Sequence, residues 1–462
     1  MERKWKVLAV VALGTFVGFL DVTIANIAFP EIAADFDDVS LGGLSWVLNG
    51  YAVIYAALLV PVGRVADMVG RRLVFLTGLA LFTLFSVGAA LAPTAEALVA
   101  ARVLQGASAA ALVPTGLALL LPEFPAEQRA TAVGIWGAVA AVSAALGPVL
   151  GGLIVEVADW RWVFAVNLPI GIAGIVAGAR VLRESRDPDR KFLPDAIGAA
   201  SVALSVGLLS LGLVQGEAWG WASPEILASF TASVLFGAGA IQRSRKHPAP
   251  VFELDLWRVR SFAVANAGML LFSVAFYAML LANVLFLVEV WDYGILTAGL
   301  AIAPGPLTAM VFALIAGPIA DRRGQRAVLV PGTLLFAASM GYPVIVAEAA
   351  SNYPGVLLPA LLAGGAGVGL TYPALSSAAA ASLPAARFAT GAALNMTARQ
   401  VGAVLGVALV VAVLGTPTAA DAMAAFDRAW AVSGVAAGLA ALATAMLGRV
   451  TVAEPTPEAV AA

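Results

Sequence analysis

Apolar runs of helix length recur about fourteen times along this chain, each close to the roughly 20 residues that a helix needs to cross a bilayer. They lie at about 6–29, 44–66, 73–92, 95–121, 130–154, 162–182, 193–214, 223–242, 261–288, 297–319, 327–347, 354–381, 388–414 and 428–447. Of the 462 residues, 61% are hydrophobic and 12% charged, and the mean hydropathy is +0.95. No soluble domain has that balance, so the chain reads as an all-α integral membrane protein. The opening M-E-R-K-W-K before an apolar run has the outline of a signal peptide. That run is too long, holds Asp21 and Asn26, and is followed by further spans, so it reads as an uncleaved first span.

Other chemistries are closed off. A net charge of −2 gives no basis for binding nucleic acid. There is no cysteine and one histidine, His247, in a polar loop. Disulfides, iron–sulfur clusters, a multi-histidine metal site and a histidine proton relay within the membrane are excluded. No G-x-x-x-x-G-K-[ST] loop is present, so ATP is not the energy source and no cofactor is expected. A proton carried through this protein must ride mainly on a carboxylate.

Lys and Arg set the orientation. With the amino terminus taken as cytoplasmic, the basic residues gather in segments on that side, among them Arg3, Lys4, Arg64, Arg71, Arg72, Arg183, Arg243, Arg258, Arg322 and Arg326. Only Arg161 and Arg428 fall outside, and only Arg102 and Arg399 within spans. This asymmetry and an even span count predict a multi-pass cell-membrane protein with both termini cytoplasmic. Trp46, Trp160, Trp162, Trp219, Trp221, Trp291 and Trp430 fall near the outer ends of spans, where the reading is interfacial anchoring.

The first span closes with L-D-V-T-I-A-N-I-A-F-P at 20–30. Asp21 is the one acidic residue placed inside a span, where a carboxylate needs a partner, a proton or a function. Gly14, Gly18, Ala25 and Ala28 share its helical neighbourhood, and such small residues turn it toward the bundle interior. The fourth span carries R-V-L-Q-G at 102–106. Asp21 lies about 12 Å, and Arg102 about 10 Å, from the outer ends of their spans at helix rise. An interaction between them, direct or through Gln105 or a water, is therefore open.

An internal repeat divides the chain. G-R-V-A-D-M-V-G-R-R at 63–72 returns as G-P-I-A-D-R-R-G-Q-R at 317–326, each between the second and third span of a half. Gly106 and Pro114 find weaker echoes in Gly365 and Pro373. The expected domains are a six-helix bundle at 1–182, two inserted helices with basic linkers at 183–260, a second bundle at 261–447 and a disordered tail at 448–462. Parallel repeats of this kind mark a transporter with its site between the halves.

With these motifs in place, the chain resembles the fourteen-span drug:proton antiporter branch of the major facilitator superfamily over nearly its whole length. The 20–30 stretch resembles that branch's first-span signature, and the 63–72 loop the superfamily's cytoplasmic loop. There, Gly63 and Gly70 permit a sharp turn, and Asp67 pairs with Arg71 or Arg72, or sits near a helix N-terminus of the other half. Such a latch, with its second copy at Gly317, Asp321, Gly324 and Arg326, would hold one conformer closed. The fifth span has Gly134, Gly137, Gly147, Pro148, Gly151 and Gly152, approximating one packing face, and its G-P-x-x-G-G ending looks like the antiporter signature. The second half lacks that ending, which favours export by exchange.

What the resemblance implies is a proton-driven exporter of hydrophobic drugs or toxic small molecules, with Asp21 and Arg102 coupling the proton. Candidates for the cargo cavity are Phe19, Asn49, Gln105, Tyr277, Asn283, Asn395 and Arg399. The thirteenth span departs from the branch's pattern, since N-M-T-A-R-Q-V-G at 395–402 offers no acid for a dication. Arg399 could draw anionic or zwitterionic cargo, or bond to neighbouring helices. The expected partners are small-molecule cargo, protons and the bilayer, with no nucleic acid, and a monomer as the working unit. The alternatives are an exporter of one metabolite or self-made antibiotic, a proton-coupled importer, and a non-transporting sensor or scaffold.

Overall fold

The computed structural model describes residues 2–125, 129–186, 192–381, 383, 388–415 and 421–447. The tail at 448–462 lies outside the described set, as do the surroundings of Gly134 and the side chain of Asp321. The helices are α1 (Arg3–Ile27), α2 (Leu41–Val69), α3 (Arg71–Ala90), α4 (Ala95–Glu123), α5 (Arg129–Val157), α6 (Trp162–Val181) and α7 (Ala196–Trp219). They continue with α8 (Pro224–Ser244), α9 (Arg260–Val290), α10 (Ile295–Ala320), α11 (Arg326–Val346), α12 (Leu357–Ala381), α13 (Phe388–Leu414) and α14 (Ala422–Ala445). Among the described residues, 13 helices are long and apolar enough to cross a membrane, and α5, with 29 residues, supplies the fourteenth. Each apolar run has become one span.

At two places a proline lies just beyond a break in a span. In α4 the helix stops at Ala109 and resumes at Leu112. Pro114 has no N–H for the Ala110 carbonyl, and its ring crowds that carbonyl. α10 breaks at Ala303, ahead of Pro304 and Pro306.

The repeat is visible in the packing. In the first half α1 packs on α4, α5 and α6, and α3 and α4 pack on α6 and α2 respectively and on each other. The second half pairs α9 with α12, α13 and α14, and α11 and α12 with α14 and α10 and with each other, the same pattern eight helices on. Glycines mark the correspondence. A Cβ added at Gly106 would lie 2.5 Å from the Tyr51 carbonyl of α2, and one at Gly365 would strike the Gly305 carbonyl of α10. Small residues let helices meet where lipid offers no hydrophobic drive to join them. Between the halves, α2 packs on α13 and α5 on α10, related by the same pseudo-symmetry. The inserted pair α7–α8 lies against α2 and α13 through α7. With fourteen spans, the start of α1 and the end of α14 fall on one face, called here the terminal face.

Three of the tryptophans expected as anchors are plugs. Trp160, Trp291 and Trp430 are buried, and their indole N–H groups go to Asp35 Oδ2, the Glu348 carbonyl and Asn283 Oδ1. Trp162, Trp219 and Trp221 are exposed, as anchoring requires. Sequence position places an indole at the end of a span but does not say which way it faces.

Candidate proton and cargo site

Asp21 sits on α1 with no exposed surface, and Arg102 reaches it from α4. The guanidinium donates to Asp21 Oδ2 at 2.5 Å, to Gln105 Oε1 at 2.6 Å and, through Nε, to the Val47 carbonyl at 3.1 Å. Gln105 Nε2 donates to Asp21 Oδ1 at 2.8 Å. Asn167 Nδ2, from α6, donates to the same oxygen at 2.8 Å. Behind them Ser86 of α3 accepts from Asn167 at 2.9 Å and from Gln105 at 3.2 Å, and donates to the Phe164 carbonyl at 2.8 Å. Five fully buried polar side chains from four helices thus form one network. The Arg102 guanidinium also lies 4.5 Å from the Tyr51 ring and 5.3 Å from that of Phe164. Removing either Asp21 or Arg102 would strand the charge of the other, which is far more costly than the net worth of the pair.

The direct contact that the depth argument left open is made, and Gln105 belongs to the same cluster. Asn167 and Ser86 were not anticipated. Asn167 left a faint signal, as a lone amide five residues into the sixth apolar run, and Ser86 left none.

A pocket of about 20 Å³ lies between the halves. Arg102, Asn26, Asn49 and Tyr51 line it from the first half, and Tyr277, Gln400 and Ala403 from the second. Its size matches a single water in this conformer. Asn49 and Tyr277 therefore meet here with Arg102. Arg399 stands 4.2 Å from the Tyr372 ring and 5.4 Å from that of Phe19, bridging the halves. Asn395 lies apart, bonded to Asn266 and Ser376 at 3.3 and 3.2 Å. Asn283 is buried among aromatic rings and accepts the Trp430 N–H at 2.8 Å. Neither lines the pocket.

The glycines of α5 serve two neighbours. Cβ atoms added at Gly147 and Gly151 would strike Thr23 and Ile27 of α1, whereas one at Gly152 would lie 2.8 Å from the Leu296 Cα of α10. The Pro148 carbonyl meets Gly299 of α10 in turn, and a Cβ at Gly137 would meet nothing within 4 Å. Positions 147 and 151 form one stripe and 148 and 152 the next, so the single face expected from the spacing is two. Away from the terminal face, α5 therefore seals one half onto the other.

The 63–72 loop turns at Gly70, with φ of 140°, and its repeat at Gly324, with φ of 84°. Asp67 accepts from Arg71 at 2.9 Å. Glu184, just beyond α6, accepts from the N–H groups of Arg72 and Leu73 at 3.0 and 3.1 Å. Arg72 donates to the Ala179 carbonyl at 2.8 Å. In this conformer these bonds tie the loop to its own half, and Glu184 caps the start of α3. In the second copy Gln325 donates to Ser377 at 3.0 Å, and Gly63 and Gly317 lie on α2 and α10 with Arg326 opening α11.

Two like bundles of membrane-spanning helices, an ion pair buried in one and a pocket between them define a membrane transporter of the carrier type. The chain belongs to the major facilitator superfamily, whose sequence model it matches over residues 11–407 and again over 265–461. It is similar to the methylenomycin A resistance protein of Bacillus subtilis (strain 168), at 32% identity over 94% of this chain and 92% of that one. The tetracenomycin C resistance and export protein of Streptomyces glaucescens is 31% identical over 93% and 78% of the two chains. The multidrug efflux pump LfrA of Mycolicibacterium smegmatis (strain ATCC 700084 / mc(2)155) is 32% identical over 88% and 80%. A bacterial homologue of the human lysosomal transporter Spinster, solved inward-facing and unoccupied, shares the fold with a TM-score of 0.66 at 16% identity, over 97% of each chain.

Proposed function

We propose that this chain expels hydrophobic drugs or other toxic small molecules across the cell membrane in exchange for protons. The terminal face is cytoplasmic, because the basic loops lie there. One observation carries the coupling: Arg102 holds Asp21 and also lines the pocket between the halves. With Asp21 ionised, the two charges compensate. A proton taken up from outside neutralises the carboxylate and leaves the guanidinium uncompensated at the pocket wall. Cargo and proton then disfavour one another through a shared residue, which is what exchange requires. Rocking of the halves, with the α5–α10 contact and the 63–72 and 317–326 loops closing opposite faces in turn, presents the site to each side. One chain suffices, since both walls of the pocket come from it.

A narrower reading, export of a single antibiotic, is favoured by relatives named for one compound each. Among the described residues, those lining the pocket include no acid. The cargo is therefore not a dication, and not an anion either, since the bare guanidinium would attract an anion and bind it together with the proton. Inverted vesicles and a panel of fluorescent cargoes test both readings. Asp21→Asn keeps shape but cannot titrate, so uphill transport driven by a pH gradient should fall to background while binding of an uncharged cargo survives. Continued accumulation by that variant would show that the proton travels elsewhere.

A further inference from the structure

The donors around Asp21 are not equivalent, and their bonding shows which of them responds to a proton. Arg102 has no acceptor atom to offer a protonated carboxyl. Gln105 could turn its amide only by placing an N–H group against the guanidinium, because its Oε1 now accepts from Arg102 at 2.6 Å. Asn167 is different: its Nδ2 makes both of its bonds, to Asp21 Oδ1 and Ser86 Oγ, and its fully buried Oδ1 has no partner. An unsatisfied acceptor at the centre of an otherwise satisfied buried network calls for an explanation.

We propose that Asn167 is the positioning residue for the proton on Asp21, turning its amide when the carboxylate is protonated. A proton from water adds to Asp21 Oδ1, and no other covalent bond forms or breaks. Asn167 rotates so that its Oδ1 accepts the new O–H. The Ser86 hydroxyl leaves the Phe164 carbonyl and donates to the same amide oxygen. Before and after, one amide atom is doubly bonded to its surroundings and the other idle; the exchange gives up the Ser86 bond to the Phe164 carbonyl, and both protonation states of Asp21 keep a partner. The ionisable groups facing Asp21 are Arg102 from α4 and Tyr51 from α2. From α3 and α6 come the neutral Ser86 and Asn167, and on α5 Ser143 is spent on the Phe16 carbonyl and the Trp136 N–H on Thr15.

The inference rests on Asp21 being the protonated group, and its test needs no cargo. Purified protein carrying carbonyl-labelled asparagine is acidified and followed by difference infrared spectroscopy. A carboxyl band that is absent in Asp21→Asn should appear, and in step with it one labelled asparagine carbonyl should move to lower frequency as it gains a hydrogen bond. That asparagine signal should vanish in Asn167→Leu and, should that variant fail to fold, in Asn167→Gln, which removes the label but keeps an amide. A carboxyl band that titrates with no asparagine signal, or with one that survives both variants, would overturn the assignment of Asn167. If no band depends on Asp21, the proton reading itself fails, and this inference with it.

Discussion

Among the described residues, a fully buried aspartate pairs with an arginine at two places, and the remaining bonds separate their roles. Asp21 has a neighbour with a spare acceptor. Asp195 has none described: it caps α7 by accepting from the Gly198 N–H at 2.8 Å, and it pairs with Arg243 at the end of α8. Burial works to raise the Asp195 pKa, but the bonds from Arg243 and Gly198 outweigh it and hold the carboxyl below its usual range, with a smaller pull from His247. A folded-state pKa that is depressed contributes stability above the unfolded value, and that contribution is lost as pH falls through the folded one. Asp195→Ala should therefore cost about 1–2 kcal/mol at neutral pH, as loss of a helix cap does. Thermal unfolding in detergent should show a deficit that is constant through neutral pH and fades only below about pH 4. A deficit that already fades near neutrality would mean that another group sets the stability of the α7–α8 pair.

Two stripes of small residues let α5 lie against its own half and the other half at once. Thr23 and Ile27 belong to α1, which carries Asp21, while Leu296 and Gly299 belong to α10 of the second half. A helix so placed can pass a change at the proposed proton site to the contact between the halves. At Gly152 the obstacle is backbone, 2.8 and 2.9 Å from an added Cβ, and cannot step aside as a side chain can. Gly152→Leu should therefore keep the halves parted away from the terminal face. Efflux should fall at least about tenfold, the effect of some 1.4 kcal/mol on the closed state. Labelling from outside of Asn49→Cys, in the pocket wall, should rise in the Gly152→Leu background. Unchanged labelling and efflux would show that this contact is not the external gate.

Across the whole molecule the two seams between the halves are unlike. At one, α2 and α13 meet and α7 lies against both, while at the other α5 meets α10. The inserted pair thus braces one seam, and its linker is fastened to the first half where Arg64 meets Glu253 at 2.8 Å. That linker lies on the terminal face, proposed to be cytoplasmic, and the absence of native cysteine makes the placement easy to check. His247→Cys should resist a membrane-impermeant thiol reagent in intact cells and react in inverted vesicles. Reaction in intact cells would reverse the orientation.

Span number and the twofold repeat follow from the sequence alone, because in a bilayer each helix satisfies its own backbone and announces itself as a local apolar run. The depth at which Asp21 and Arg102 sit was legible for the same reason, since helix rise converts a count of residues into a distance. Azimuth was not. Which way a residue faces depends on helices distant in sequence, so Trp160 and Trp430 proved buried, Asn283 turned to Trp430, and α5 used two stripes where the spacing suggested one. The partners of Asp21 divide along the same line. Arg102 stood out because an intramembrane charge is rare. Asn167 and Ser86 are common residues, and only the folding together of α1, α3, α4 and α6 made them part of one buried network with a single unclaimed acceptor.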